Sequence, residues 1–240
     1  GRPIVVIRAD MDALPIQEEN DVPYASQVPG VMHACGHDIH TAVAMGVSVI
    51  LRDIAAEIPG SVKVLFQPAE ESPPGGAEQF LKEDILRNPK AEIIFALHTD
   101  PTLPTGRIGL LDGPAMASVT DFDITIIGRG SHAAKPHLGV DAIVVAAELI
   151  GSLQKIVSRE IDPLKPLVIT IGAIKGGTAR NIISDTVTIS GTARTLYPET
   201  RKKIPLLLRR TIDGICRARG AKYRLDIPAG YPVLINNAGA

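Results

Sequence analysis

PIVVIR, residues 3–8, is a continuous apolar run closed by one charge. A strand with one face in water alternates apolar and polar residues, whereas a strand covered on both faces reads as an unbroken run. Two further stretches have the same character: VKVLF at 62–66 and EIIFAL at 92–97. Helical stretches lie between them. Residues 40–58 set Ala, Val, Met, Ile and Leu at helical spacing, with Arg52, Asp53 and Glu57 towards the end. Residues 76–88 (GAEQFLKEDILRN) form a shorter amphipathic helix. Strand–helix–strand alternation predicts a three-layer α/β domain with helices on both sheet faces. Such sheets bind ligands beyond the carboxyl ends of their strands, so the residues just after each strand carry the functional expectation.

The pattern changes near Gly113. Residues 118–128 (SVTDFDITIIG) alternate as a half-exposed strand, and 141–157 read as a helix. Residues 166–174 (PLVITIGAI) and 185–195 (DTVTISGTART) read as strands. A long helix follows at 198–219, with Pro205 a local irregularity near its start, and 221–227 close as a strand. The order β-α-β-β-α-β is the ferredoxin-like split βαβ pattern. Residues 230–235 then read as heading back to the first domain, which makes the second an insertion.

The 240 residues are 45% hydrophobic and 21% charged, with a formal net charge of −1. That is ample for a core and excludes a disordered chain. A near-zero charge argues against a nucleic-acid footprint, and 3% aromatic residues with no Trp leave few base-stacking platforms. No apolar run approaches the roughly 18–20 residues that cross a bilayer. Two distant cysteines make no disulfide framework. The sequence starts at Gly1 on a buried-looking run and stops soon after another, residues 231–235. Domains usually begin and end in polar segments, so the expectation is a piece of a longer protein, with any signal peptide upstream.

The densest polar cluster is HACGHDIH, residues 33–40, with three His, one Cys and one Asp. Thiolate, imidazole and carboxylate are the donors of divalent transition metals, and Gly36 lets Cys35 and His37 converge. The bland alternative is a His-rich helix-capping loop. QPAEE, residues 67–71, follows a core-like strand. Neighbouring side chains there point opposite ways, so one acid can bind metal while the other reaches substrate. A solvated acidic pair is the alternative. His98 ends the third strand, as a ligand or as a structural residue. Asp10 and Asp12, just past the first strand, are candidate ligands or groups that orient a ligand histidine. Four element ends decorated in this way, all opening at one sheet edge, predict a metal site. In the second domain GRGSHAAKPH, residues 128–137, displays His132 on a Gly-rich loop that could equally be an ordinary hairpin. GGTARN, residues 176–181, reads as a turn between strands, and Arg194 as a strand residue that is either surface or an anion clamp. Cys216 falls on the apolar face of the last helix and reads as packing. No papain- or caspase-like cysteine signature, Walker A loop, Rossmann fingerprint or HExxH is present.

Taken together, RADMDALP (8–15), MHACGHDIHTA (32–42), FQPAEE (66–71), the LH at 97–98 and GSHAAKPH (130–137) resemble one family. It is the M20 metallopeptidase/amidohydrolase family, and within it the branch of N-acyl-amino-acid amidohydrolases, hippurate hydrolases, auxin-conjugate hydrolases and N-acetyl-diaminopimelate deacetylases. The resemblance implies an α/β, three-layer, zinc-peptidase-like catalytic domain, partial here, with an inserted ferredoxin-like α+β lid that dimerises. The division is then catalytic domain 1–115, lid 116–229 and return segment 230–240. The resemblance also implies two divalent metal ions per subunit (Zn, Mn, Co or Ni) held by Cys35, His37, Glu71 and His98, with Cys35 bridging. Glu70 matches the general base. His132 matches a lid histidine that stabilises the oxyanion in the partner subunit's active site. Asn181 and Arg194 match positions that contact the substrate's carboxylate end, and Asp12 one that orients a ligand.

The implied substrate is an N-acyl amino acid or short peptide and the implied assembly a homodimer, with neither nucleic acid nor membrane as partner. A thiolate ligand suits a reducing, cytoplasmic setting. Two features depart from the family. Its members carry further chain on both sides, and the later part supplies one more ligand histidine that nothing here matches. Ser131 replaces a Gly common in the lid motif. Rival expectations are a dipeptidase or carboxypeptidase of the same family, and a non-catalytic dimerisation or binding module. A metal store is disfavoured because Glu70 and His132 would have no purpose in it.

Overall fold

Strand β1 (Ile4–Asp10) is the middle strand of a parallel sheet, flanked by β2 (Ser61–Gln67) and β3 (Ile93–Ala96) in the order β2-β1-β3. Asp10 pairs with Gln67, and Arg8 pairs with both Leu65 and Ala96, so the three carboxyl ends lie nearly level. Parallel strands need a crossover, and α1 (His37–Asp53) supplies it between β1 and β2, packing on β1. Helix α2 (Gly75–Lys82) lies between β2 and β3. This computed structural model describes residues 3–239, which divide into two compact units, one up to Leu110 and the other Leu111–Gly239.

Both helices of the first unit differ from expectation at their ends. Helix α1 begins at His37 instead of residue 40, because Gly36 takes left-handed backbone (φ 78°) immediately before it. It ends at Asp53 instead of residue 58, several residues ahead of Pro59, whose ring disfavours helix in the residue before it. Helix α2 stops at Lys82 instead of residue 88, because Asp84 is left-handed (φ 54°). The sheet is also covered less completely than its apolar runs predict: Ile94 and Phe95 of β3 stay 52% and 48% exposed.

The second unit follows its alternation closely. Strands β5 (Ser118–Ile127), β7 (Leu167–Gly176), β9 (Thr186–Thr195) and β10 (Lys222–Asp226) make an antiparallel sheet in the order β10-β5-β9-β7. Helices α3 (Ala142–Arg159) and α4 (Pro198–Arg219) complete the split βαβ order. Strand β5 buries Phe122, Ile124 and Ile126 and exposes the alternating Asp121 and Asp123. Those three pack with Leu149 and Leu153 of α3 and with Leu208, Ile212 and Cys216 of α4. Helix α3 is capped by Asp141, whose carboxylate accepts the N–H groups of Ile143 and Val144. Pro205 leaves α4 unbroken: it sits on the exposed side, next to buried Ile204.

Two short ribbons complete the unit. Strand β6 (Ser131–His132) pairs with β8 (Ile182–Ile183), and β4 (Gly113–Met116) pairs with β11 (Leu234–Asn236). The stretch ahead of β11 is fastened to β5, whose Val119 N–H donates to the Tyr231 carbonyl at 3.0 Å. Among the described residues no helix is long and apolar enough to cross a membrane.

Candidate metal centre

The loop after β1 returns to the sheet before α1 begins. Leu14 and Met32 exchange two backbone hydrogen bonds, 2.9 and 3.0 Å long, which brings residues 32–37 beside the end of β1. Gly36 is required there twice over. Its backbone is left-handed, and an added Cβ would lie 2.4 Å from Thr99 Oγ1. The turn presents Cys35 on one side of Gly36 and His37 on the other. After β2, left-handed Ala69 (φ 52°) turns the chain into Glu70 and Glu71. His98 follows β3.

These ends converge. One donor atom each from Cys35, His37 and Glu71 lies within 4.8 Å of the others. His37 is buried, and its Nδ1 bonds the Asp12 carbonyl at 2.9 Å. A carbonyl only accepts, so the proton sits on Nδ1 and Nε2 keeps its lone pair. That buried Nε2 has no hydrogen-bond partner and lies 3.9 Å from Glu71 Oε1. His98 repeats the arrangement: Nδ1 bonds the Thr99 carbonyl at 2.7 Å, and Nε2 lies 3.5 Å from Cys35 Sγ. Asp12 accepts the Glu71 backbone N–H at 3.0 Å and so ties the acid pair to the His37 side.

Asp10, His37 and His40 make a second cluster of donor atoms within 4.8 Å, but most of its donors are already engaged. Asp10 bonds His40 Nδ1 at 2.5 Å through one oxygen and Arg8 at 2.6 Å through the other. His40 Nε2 accepts the Thr99 N–H at 2.9 Å. His33, the third histidine of the motif, belongs to neither cluster.

The charges agree with a cation site. Burial first, then the Glu71 hydrogen bond and the charges of Glu71, Glu70 and Asp10, push the Cys35 thiol up to about 11. Burial and the Glu71 charge also push the Glu70 carboxyl above its ordinary range. Asp12 moves the other way. Burial alone would raise it, but backbone N–H groups of Glu71 and Glu70 hold it below the usual carboxylate range. An orphaned imidazole nitrogen, a thiol and a carboxylate aimed at one another form a donor set of the kind that binds zinc and its neighbours, so the residues present fit a divalent metal.

In the second unit, His132 is exposed and its Nδ1 accepts the Ala134 N–H at 3.1 Å. The neutral ring therefore carries its proton on Nε2, as an outward donor. The Ala133 N–H donates to the Asn181 carbonyl at 3.1 Å, which places residue 181 beside the His132 turn. Arg194 stands exposed on β9, on the face opposite buried Ala193. Sequence reasoning missed Thr99 and Arg8 altogether and gave His40 no role of its own. The deciding partners, Gln67 for Arg8 and His40 and Cys35 for Thr99, lie far off in sequence, and only the adjacency of Thr99 to His98 and of Arg8 to Asp10 hinted at these roles.

The sequence pattern of Peptidase family M20/M25/M40 matches residues 6–240. The chain belongs to this family. Among M20 relatives, it is 44% identical over 233 residues to the N-acyl-L-amino acid amidohydrolase of Geobacillus stearothermophilus, covering 97% of this chain and 62% of that protein. It is 44% identical over 220 residues to the N-acetylcysteine deacetylase of Bacillus subtilis, covering 92% and 57%. The crystal structure of the Bacillus subtilis YxeP protein, described as a dinuclear metal binding peptidase from the M20 family, superposes with a TM-score of 0.79 at 38% identity, covering 98% and 60%. The chain thus spans about three fifths of the length of the M20 relatives it matches.

Proposed function

We propose that this protein hydrolyses the amide bond of N-acyl amino acids, releasing a carboxylate and an amino acid. The observation that carries the reading is the convergence of Cys35, His37 and Glu71 within 4.8 Å. The substrate class comes from the two relatives, which are named for N-acyl amino acids. Cys35, His37, Glu71 and His98 would hold two divalent ions; zinc, manganese, cobalt or nickel suit these donors. When bound, such ions lower the pKa of a water and polarise a carbonyl.

The remaining steps belong to the chain's own residues. Glu70 takes the proton from the attacking water and later delivers it to the leaving amine. Its raised proton affinity suits a group that must hold that proton between the two transfers. His132 donates its Nε2–H to the oxyanion, in the partner subunit's site by the family resemblance. Asn181 and Arg194 take the substrate's carboxylate, a charge-assisted contact on the arginine side. Asp12 holds His37 through its carbonyl and Glu71 through its carboxylate. In this reading residues 1–115 are the N-terminal part of the catalytic domain, 116–229 an inserted lid through which two copies dimerise, and 230–240 the return segment. Two free cysteines, Cys35 and Cys216, suit a reducing cytoplasm.

The test begins with metal content of the reduced chain, followed by turnover on a panel of N-acetyl amino acids and dipeptides. Glu70→Gln should keep its metal and lose about 10²–10⁴-fold in rate, the usual contribution of a general base. Cys35→Ala should lose metal and rate together. Equal loss of metal and activity in Glu70→Gln would make Glu70 a ligand, and a preference for dipeptides would move the reading to a dipeptidase.

A further inference from the structure

His40 has no part in the chemistry above, yet among the described residues of the first unit it is the most enclosed ionisable side chain: 0% exposed, against 1% for His37 and 2% for Asp10. Both ring nitrogens are committed. Nδ1 lies 2.5 Å from Asp10 Oδ1, and Nε2 accepts the Thr99 backbone N–H at 2.9 Å. The Thr99 N–H only donates, so Nε2 must be the acceptor and the ring proton sits on Nδ1, towards Asp10. Neither nitrogen has a lone pair left for a metal, although His40 shares a motif and a helix with His37.

What His40 holds is the residue next to His98. The Thr99 carbonyl receives His98 Nδ1 at 2.7 Å, and the Thr99 hydroxyl donates to the Cys35 carbonyl at 3.3 Å. The His40 ring also stands edge-on to the His98 ring, with centroids 4.9 Å apart. Little else steadies that loop: β3 is four residues long and His98 itself is exposed. One buried ring therefore joins the end of β1, the first turn of α1 and the loop that carries His98.

We propose that His40 is a positioning residue. By holding the Thr99 amide, with Asp10 fixing its tautomer, it sets His98 against Cys35 and makes no bond to metal itself. The inference rests on reading Cys35 and His98 as ligands. The test is cobalt(II) titration of the 240-residue chain, followed by calorimetry and absorption, with His40→Phe, His40→Gln and His98→Ala. In His40→Phe the tight first equivalent and the sulfur-to-cobalt absorption band are retained. The second equivalent weakens by roughly 10–100-fold, as found for partners that orient metal-bound histidines. His40→Gln recovers part of the loss, since its amide keeps one donor and one acceptor. Added to His98→Ala, His40→Phe costs no further affinity, because both act on one limb of the site. An unchanged second equivalent in His40→Phe overturns the inference, as does a loss that persists in the His98→Ala background.

Uptake of fewer than two equivalents by the wild-type chain counts against the dinuclear reading instead. The positioning role is then decided without metal, by NMR. Slow exchange of the Thr99 amide and proximity of the His98 ring to Cys35 are expected in the wild type and lost in His40→Phe with the rest of the fold intact. Their retention in His40→Phe overturns the inference. Where His40→Phe does not fold, His40→Asn, polar but too short to bridge Asp10 and Thr99, reads the same quantities.

Discussion

Cys35 is the residue on which electrostatics and metal binding pull hardest against each other. Its burial, and the acids Glu71, Glu70 and Asp10 around it, push the thiol to about 11, while the form that binds metal is the thiolate. Metal uptake therefore has to expel a proton. The sign follows directly: below that pKa the thiol is the resting form, so apparent affinity rises with pH, by about tenfold per unit for one linked proton. Calorimetry at pH 7.5 in two buffers of different ionisation enthalpy should find about one proton released per chain from this group. Uptake with no proton released would remove Cys35 from the ligand set. Its neighbour Gly36 offers a second test. Gly36→Ala puts a side chain on left-handed backbone, a strain of about 1–3 kcal/mol, and drives it towards Thr99 Oγ1, 2.4 Å from the added Cβ. Urea denaturation of the metal-free protein should show a lower midpoint for the transition of the first unit, which carries Gly36. An unchanged midpoint would mean the turn re-forms without the left-handed residue.

Among the elements, legibility follows how local the deciding signal is. Helix α4 runs over Pro198–Arg219 as the apolar spacing predicts, because its start at Pro198 and its stop at Gly220 (φ 68°) are both written in the chain. Helices α1 and α2 were misplaced at their ends by Gly36 and Asp84, whose backbone conformation periodicity does not report. The metal cluster obeys the same rule. Cys35 and His37 flank one glycine, and Glu70–Glu71 follows a strand, so their convergence was legible. The bonds between Asp10 and His40, 30 residues apart, and between Asp12 and Glu71, 59 apart, were not, because they exist only once β1, α1 and β2 are packed. Pro205 is a conflict between propensity and structure at the element scale. It lacks the N–H that would close a helical bond, yet sits mid-helix on the exposed side of α4. Pro205→Ala should therefore stabilise the second unit, by up to about 3 kcal/mol, the difference in helix propensity. Thermal melting would read it as a raised midpoint. A neutral or destabilising result would show that the helix is bent to fit its proline.

For the whole molecule, the two units differ in what holds them together. In the second, Phe122, Ile124, Leu149, Leu208 and Ile212 belong to one large apolar cluster between sheet and helices. In the first, the buried apolar residues among those described are Ile4, Val6, Ala9 and Ala44, and much of the rest of its buried interior is polar: Asp10, His37, His40 and Gln67. A unit so constituted depends on its hydrogen-bond network, and on any ion that the network is arranged to receive. Burying the His37 Nε2 lone pair without a partner costs stability, and a bound cation converts that cost into a bond. Mass action then stabilises the native first unit, by about 2.7 kcal/mol at a free metal concentration of 100 times Kd. Every proposed ligand lies before Leu110, so the second unit gains nothing directly. Calorimetry of the metal-loaded chain should therefore resolve two transitions, and chelation should lower one and leave the other in place. Hydrogen exchange assigns them: after chelation, peptides from residues 3–110 should lose protection while peptides from β5, β9 and α4 keep theirs. A single transition that moves as a whole would show that the units unfold together and that the metal supports both.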